Sequence, residues 1–421
     1  MKVNNSVLNI LNITLEISLL LLFIFIFLSA DYSINRMSIP IMNFHVLFRD
    51  ILLYFIFFLF FFISFFNKKI LIKGLFYKEI LLIFLVYYIF IPIGFLNGNL
   101  IKNMFHNIRY VNYIMIYFPL LYLFRENMSY KNYLLKFFSI ILLFSCLFNI
   151  VLLFIFCNNT IPLRNEFFWI DYKANLIVPR ILIPFSSIFP VALIFIVYFY
   201  RGLKSFMIEL LLLMLIAVSF YRSLWVISFS SLFFIFILAK SYEDKFNILK
   251  ITLISVLIIS SFIFIFEKTG VVKVVNSMVS TKEITNIDRI NEHKFFWNKF
   301  IKNPLIGYGQ GATINFFFYS FGKEIETTFL HNVYLIYLLN FGIIGTFFIL
   351  WAFLSFIIKT FYFLKKNKQK SIAEPLLSSF LAILIVSIFT SDIYYSKGYV
   401  FIAIVMALTS DYIEKNENYL A

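Results

Sequence analysis

The residues best suited to chemistry lie in one polar stretch, from Asp288 to Gly345. It holds DRINEHKFFWNKFIKNPLIGYGQG and, after a short polar run, HNVYLIYLLNFGIIG. His331 opens the second segment, and the N-terminus of a following helix would attract anions and disfavour protonation of the imidazole. His331 could thus act as a neutral general base, although a capping or interfacial histidine is the simpler interpretation.

Arginine is well suited to hold a phosphate, because its planar fork donates to pairs of oxygens and keeps its charge. Arg222 and Arg289 stand near predicted helix ends. An arginine there either binds an anion or extends from the membrane to water. Arg109 lies at the end of a predicted span, where it either adds a phosphate contact or anchors the topology.

Other catalytic chemistries find little support. Glu324 and Glu326 precede His331 and could act as a base or bind a metal, but charges in a polar loop are more often a solvated face. No His, Cys and Asp cluster has metal-ligand spacing, and no nucleophile elbow, P-loop or dinucleotide fingerprint is present. We therefore predict neither a metal nor a cofactor.

The composition indicates what must position these residues. With 62% hydrophobic and 14% charged residues and a mean hydropathy of +0.92, the chain is far more apolar than a soluble domain. We predict an all-α polytopic membrane protein with one transmembrane domain over residues 1–421 and about twelve helices. The predicted spans are approximately residues 8–30, 51–66, 79–96, 111–124, 137–157, 181–200, 206–220, 224–239, 250–266, 331–358, 374–391 and 398–412.

The basic residues predict the orientation of these helices. Lys and Arg are about twice as frequent in one set of short connections, which places both termini in the cytoplasm. The connection 267–330 is then a large extracytoplasmic loop, and residues 411–421 form a cytoplasmic tail. Because the net charge of +15 is scattered between apolar segments, we predict no nucleic-acid partner.

The outer loop has recognisable local structure. Apolar residues between Asp288 and Ile301 follow one helical face, which predicts a short amphipathic helix on the membrane surface. Pro304 ends this helix, and the three glycines of LIGYGQG allow a tight backbone path, or simply a structured turn. Thr327 and Thr328 stand where helix N-caps are expected.

These motifs together resemble the shared signature of the O-antigen polymerase and O-antigen ligase superfamily. Its elements here are an Arg and, eight residues later, a Trp; then NPLIGYGQG; then HN before a helix with paired glycines, Gly342 and Gly345. SFYRSLWVISF resembles the Ser-Arg element of the family, with Tyr221 inserted, and VPRILIPFSSIFP resembles an outer-Arg element without its usual Gly and Asn.

The resemblance implies site residues by position. His331, Arg289 and Arg222 would be catalytic. By the same resemblance Arg180 would bind substrate. The other predicted substrate contacts are Arg109, Tyr308, Asn332 and Glu326.

The resemblance also implies a function. The protein would be a glycosyltransferase of the bacterial inner membrane that moves a growing glycan from polyprenyl pyrophosphate to the next lipid-linked repeat unit, as in O-antigen or capsule polymerisation. The nearest alternative is a ligase that passes the same donor to lipid A core. A flippase or other transporter is an alternative of another class, but it would need a polar pathway between repeated halves. The expected partners are the lipid-linked donor and acceptor, membrane lipids and other polysaccharide-assembly proteins.

Overall fold

A computed structural model describes ten continuous parts of the chain and some shorter ones. The ten are residues 5–28, 38–41, 44–66, 74–126, 188–218, 222–265, 284–319, 322–367, 369–390 and 394–417. The shorter ones are residues 169–171 and 180–182 and separate positions from 130 to 151. About half of the predicted span 137–157, including all of residues 152–157, therefore lies outside the described residues.

The described chain is mostly helical. Its α-helices are α1 (Asn5–Leu28), α2 (Phe48–Phe66), α3 (Tyr77–Leu96), α4 (Ile101–Val111), α5 (Tyr117–Glu126), α6 (Ile188–Phe199), α7 (Leu203–Val218), α8 (Arg222–Leu238), α9 (Tyr242–Ile265), α10 (Ile284–Phe300), α11 (Val333–Lys366), α12 (Ala373–Val386) and α13 (Ser396–Glu417). A 3₁₀ segment, Asn112–Ile116, joins α4 to α5.

Four described helices are long and apolar enough to cross a membrane: Val7–Ile26, Phe48–Phe66, Tyr77–Leu96 and Val333–Lys366. Shorter apolar helices include Phe189–Phe199, Ser223–Leu238 and Ala373–Val386. A helix needs about 20 apolar residues to span a bilayer by itself. The chain is thus a mostly helical membrane protein, and the count of twelve spans stays a prediction.

Three antiparallel hairpins were not expected in an all-α protein. They are β1 (Ser38–Ile41) with β2 (Phe44–Leu47), β3 (Trp169–Asp171) with β4 (Arg180–Leu182), and β5 (Ile314–Phe318) with β6 (Lys323–Thr327). In β5, Ile314 and Phe316 are buried while alternate residues are exposed, which is the period of a half-buried strand. So short a pattern is hard to detect in a chain this rich in phenylalanine.

The cap of α11 also differs from the prediction. Asn332 is the N-cap, because its Oδ1 accepts from the backbone N–H groups of Tyr334 and Leu335. Thr327 ends strand β6, and its hydroxyl accepts from Phe329 N–H at 2.9 Å. The threonines at 327 and 328 are thus too early to cap this helix.

Ion pairs mark one end of the helix bundle. Lys359 near the C-terminus of α11 pairs with Glu79 at the start of α3 at 2.7 Å. Lys240, just after α8, pairs with Glu374 at the start of α12 at 2.9 Å. The start of α11 and the ends of α3 and α12 therefore lie at the other end of the bundle. We call this the loop end, because residues 284–332 lie there.

Helix α11 is broken at Gly342, whose φ of 61° and ψ of −166° are not helical. The loop Asn303–Gly311 fills the break. Ile343 N–H and Ile344 N–H would bond Leu339 and Asn340 in an unbroken helix, but they donate to Pro304 O at 2.9 Å and Leu305 O at 3.1 Å. The loop therefore accepts from both displaced donors.

The loop also donates hydrogen bonds to the two carbonyls that lose their helical partners at the break. Tyr308 N–H donates to Leu339 O at 2.9 Å, and Gly309 N–H donates to Asn340 O at 2.8 Å. On its other side the loop contacts α3, where Gln310 N–H donates to Phe90 O at 3.1 Å. The loop thus joins α3 to the broken part of α11.

Glycine is required at both contact points. The backbone angles of Gly342 lie in a region open essentially to glycine alone, and a Cβ there would overlap Leu305 O. Gly309 has a φ of 76°, and a Cβ on it would overlap the backbone of Gly94 in α3. The glycines of the motif therefore set how closely the loop approaches the two helices.

We predict that Gly342→Ala destabilises the protein strongly, because it adds backbone strain of about 1–3 kcal/mol to the overlap with Leu305. The measurement is the apparent melting temperature of the purified protein in detergent. Gly322→Ala is the matched control, since Gly322 has a φ of 62° but no atom near its missing Cβ. Equal melting temperatures for the two variants would contradict the account of the break.

Candidate functional site

The amphipathic helix that the sequence predicts between Asp288 and Ile301 corresponds to α10, and it is fixed against the β5–β6 hairpin. Phe296 of α10 is fully buried, and Phe295 lies 6.5 Å from Phe316 of β5 between ring centroids. Tyr319 N–H donates to Asp288 Oδ1 at 2.6 Å, and Lys299 Nζ donates to Thr313 O at 2.5 Å. Both ends of α10 are thus attached to the hairpin.

Glu292 in the middle of α10 holds His331 by two hydrogen bonds. The backbone N–H of His331 donates to Glu292 Oε1 at 2.7 Å, and His331 Nδ1 lies 2.6 Å from Glu292 Oε2. The Glu292 side chain is only 1% exposed, whereas that of His331 is 30% exposed. A buried carboxylate thus fixes the ring of a solvent-accessible histidine.

This arrangement sets the tautomer of His331. A carboxylate accepts hydrogen bonds, so the proton of a neutral ring lies on Nδ1 and the lone pair on Nε2. No hydrogen bond joins Nε2 to any residue that the structure describes. The nitrogen suited to accept a proton from a substrate is therefore the one left open.

Arg289 lies one turn before Glu292 on α10, and residues three apart on a helix are neighbours. Its side chain is partly exposed and has no hydrogen bond or ion pair with the described part of the chain. The Glu292 contact to His331 thus brings Arg289 and His331, 42 positions apart in sequence, to one place. Arg289 is available there to bind an anion.

Arg222 is the first residue of α8, and its side chain lies outside the described residues. Ile227 of α8 forms a buried apolar cluster with Ala382 and Val386 of α12. The residue after Val386 is Ser387, whose carbonyl accepts from Val333 N–H, two positions after His331, at 3.0 Å. The start of α8 therefore lies at the loop end, as His331 does.

Three other predicted substrate contacts have partners within the protein. Tyr308 OH donates to Lys299 O at 2.8 Å, Asn332 caps α11, and Thr313 Oγ1 donates to Glu326 Oε1 at 2.7 Å. These bonds hold the loop, the helix start and the hairpin in place. A role of Tyr308, Asn332 or Glu326 in substrate binding stays a prediction.

Two other predicted arginines each stand near an aspartate. Arg180 stands in β4 opposite Asp171 of β3 in the strand register. Arg109 is in α4, with its Nε 3.7 Å from Asp50 Oδ2. Among the residues described, no group of three or more His, Cys, Asp or Glu side chains could hold a metal.

The sequence analysis missed Glu292. One signal was available: Glu292 follows Arg289 by three positions, so both fall close together on the predicted amphipathic helix. If Arg289 is to bind an anion, the Glu292 carboxylate near it must pair with a different group. The hydrogen bonds to residue 331 span 39 positions, and no local pattern predicts a contact of that range.

Comparison with known proteins bears on the central part of the chain. No curated protein and no solved structure is a significant match. Residues 207–350 match a family model described as O-antigen ligase, and this range includes Arg222, Arg289, Glu292 and His331. Members of this family are enzymes, and the match does not support a flippase. The matched range is less than half of the chain, and it supports the resemblance to the O-antigen polymerase and ligase superfamily.

Proposed function

We propose that the protein transfers a glycan from a polyprenyl pyrophosphate donor to the next lipid-linked repeat unit, at the outer face of a bacterial inner membrane. The observation that carries this proposal is the hydrogen bonding of Glu292 to His331. Among the described residues Nε2 has no hydrogen-bond partner, and Arg289, one turn of α10 from Glu292, has none either. A fixed base next to a free guanidinium suits transfer from a diphosphate leaving group.

The acceptor hydroxyl gives its proton to His331 Nε2. Its oxygen then forms a bond to the anomeric carbon of the donor sugar, while the bond from that carbon to the diphosphate breaks. The electron pair of the broken bond leaves with the polyprenyl pyrophosphate. Glu292 stabilises the imidazolium that results, and a positioned base of this kind contributes about 10²–10⁴-fold to a rate.

The arginines stabilise the leaving group. Arg289 has no partner in the described chain, so its five N–H donors are free for phosphate oxygens. We place Arg222 beside it on topological grounds, since the start of α8 is at the loop end. Charge on the diphosphate grows as the bond breaks, so these contacts strengthen in the transition state.

The membrane arrangement follows from the same proposal. With the loop end outside, the lipid diphosphate lies at the depth of His331, and both termini are cytoplasmic. The ion pairs of Lys359 with Glu79 and of Lys240 with Glu374 are then on the cytoplasmic side. A basic residue at that side agrees with the distribution of Lys and Arg in the short connections.

A ligase is the second candidate, and the description of the matched family favours it. Ligase and polymerase share the donor, the base and the leaving group, and they differ in the acceptor. We prefer the polymerase because NPLIGYGQG and HN resemble polymerase motifs more closely.

Glu292→Gln tests the role of Glu292. A glutamine amide can donate to Nδ1, which would move the ring proton to Nε2 and remove the base. We expect the transfer rate in proteoliposomes to fall about 10²–10⁴-fold, as for His331→Ala. The measurement is glycan elongation with lipid-linked repeat units extracted from the producing cells.

The matched control is Glu324→Gln, which changes an exposed carboxylate on β6 in the same way. It should retain wild-type turnover. If Glu292→Gln also elongates the glycan normally while it stays folded, Glu292 does not set the tautomer of His331 and the proposed base is wrong.

Arg289→Lys tests whether Arg289 must donate two parallel hydrogen bonds to the diphosphate or need only be positively charged. Lysine keeps the charge but cannot donate to two phosphate oxygens in parallel, so we expect turnover to fall about 30- to 1,000-fold, nearly as far as in Arg289→Ala. The assay is the same, with protein levels matched. Near-normal turnover by the lysine variant would show that Arg289 provides no more than a positive charge.

A further inference from the structure

Two aromatic rings lie beside His331 at the loop end. The ring of Phe329 contacts the imidazole in an edge-to-face arrangement, with centroids 5.2 Å apart and planes at 70°. The ring of Tyr395 lies 6.0 Å from that of Phe329, and their planes differ by 22°. Because these planes are nearly parallel, the two rings face the same way. We call Phe329 and Tyr395 the aromatic pair.

Both rings of the pair are partly exposed, unlike the aromatic residues that form the core nearby. Tyr394, next to Tyr395 in sequence, is 4% exposed, and its ring lies 6.1 Å from that of the fully buried Tyr337. The chain thus places one tyrosine inside the bundle and the next one at its surface. His331 is accessible as well, with 30% of its side chain exposed. A substrate that reaches His331 therefore comes within contact range of Phe329.

Neighbouring elements hold the aromatic pair in place. Phe329 follows β6, and its N–H donates to Thr327 Oγ1 at 2.9 Å. Tyr395 immediately precedes α13, and its ring lies 5.3 Å from that of Tyr110 of α4, with the planes at 86°. Tyr110 is itself 2% exposed. Rings that are fixed before binding lose little conformational freedom when a ligand covers them.

The proposed reaction needs an uncharged contact of this kind for its acceptor. The donor sugar is bonded to its diphosphate, so cations that hold the diphosphate also position that sugar. The reacting sugar of the acceptor is at the far end of its glycan, away from its own diphosphate. Its hydroxyls and C–H groups must then serve for recognition. Aromatic rings suit C–H groups, and a tyrosine adds a hydroxyl at the edge of its ring.

We propose that Phe329 and Tyr395 bind the terminal sugar of the acceptor glycan and so bring one of its hydroxyls to His331 Nε2. The ligand class is a pyranose with several C–H groups on one face, which lies against the aromatic pair. This inference rests on the proposed glycan transfer and deepens it, because it assigns the part of the site that selects the acceptor.

A lipid-free acceptor tests the proposal. The repeat-unit oligosaccharide is released from its lipid by mild acid and labelled at its reducing end with a fluorescent amine, so that it accepts a glycan but cannot donate one. The full-length chain in proteoliposomes extends this probe, with extracted lipid-linked repeat units as the donor. The measurements are KM for each substrate, kcat and the melting temperature of each variant.

Leucine keeps apolar bulk but lacks a planar face, so Phe329→Leu and Tyr395→Leu test the two rings independently. We expect each to raise KM for the labelled oligosaccharide about 10-fold and to change kcat less than about 3-fold, at a wild-type melting temperature. Phe329→Tyr keeps the ring and should keep the wild-type KM.

Phe317→Leu is the matched control. Phe317 of β5 is 37% exposed, and its ring lies 5.0 Å from that of Tyr319. Its loss removes an exposed aromatic ring from the hairpin and should leave KM and kcat unchanged.

Four outcomes would overturn the inference and leave the proposed function intact. Unchanged KM values in both leucine variants would show that the rings do not bind the acceptor. A lower kcat with an unchanged KM would show that Phe329 only orients His331. A rise in KM confined to the lipid-linked donor would assign the pair to the other substrate. Elongation of lipid-linked units without extension of the free oligosaccharide would show that the acceptor is recognised through its lipid diphosphate.

The proposed function fails in a different way. If the wild-type chain elongates neither the lipid-linked units nor the labelled oligosaccharide, the glycan transfer and this inference are both contradicted.

Discussion

The break in α11 is the constraint on which the rest of the structure depends. Two N–H groups and two carbonyls lose their helical hydrogen-bond partners at Gly342. The loop Asn303–Gly311 supplies a new partner to each of these four groups. A buried backbone group without a partner costs about 1–3 kcal/mol, and more in lipid, so the loop and the break stabilise each other. Neither is expected to persist without the other.

This constraint positions the residues of the candidate site. The loop follows α10, so attaching it to α11 also holds α10 beside the start of that helix. Glu292 of α10 then reaches His331 and fixes its ring. Arg289, one turn earlier on α10, has no partner in the part of the chain that the structure describes. The proposed base and the proposed anion-binding cation are therefore positioned by a helix and a filled break, and such support is what precise active-site geometry requires.

The sequence predicted part of this arrangement. Most of the features that it did not predict depend on contacts between segments far apart in the chain. The amphipathic pattern predicted α10, and the motifs pointed to His331 and Arg289, whose roles stay predictions, because local spacing and residue type carry that information. The sequence predicted a tight backbone path at Gly309, but it could not predict the contacts of Gly309 with Gly94 or of Gly342 with Leu305, since these join distant segments. Glu292 was missed for the same reason. Asn332 replaced the expected threonine caps because the hairpin uses the residues before it.

The most direct test of the account is the surface glycan of a strain that lacks the gene, analysed by gel electrophoresis. The account predicts that the ladder of long chains collapses to a single repeat unit. Wild-type protein should restore the ladder, whereas His331→Ala at equal abundance should not. An unchanged ladder, core without any repeat unit, full-length glycan retained inside the cell, or restoration by His331→Ala would each contradict a polymerase that uses His331 as its base.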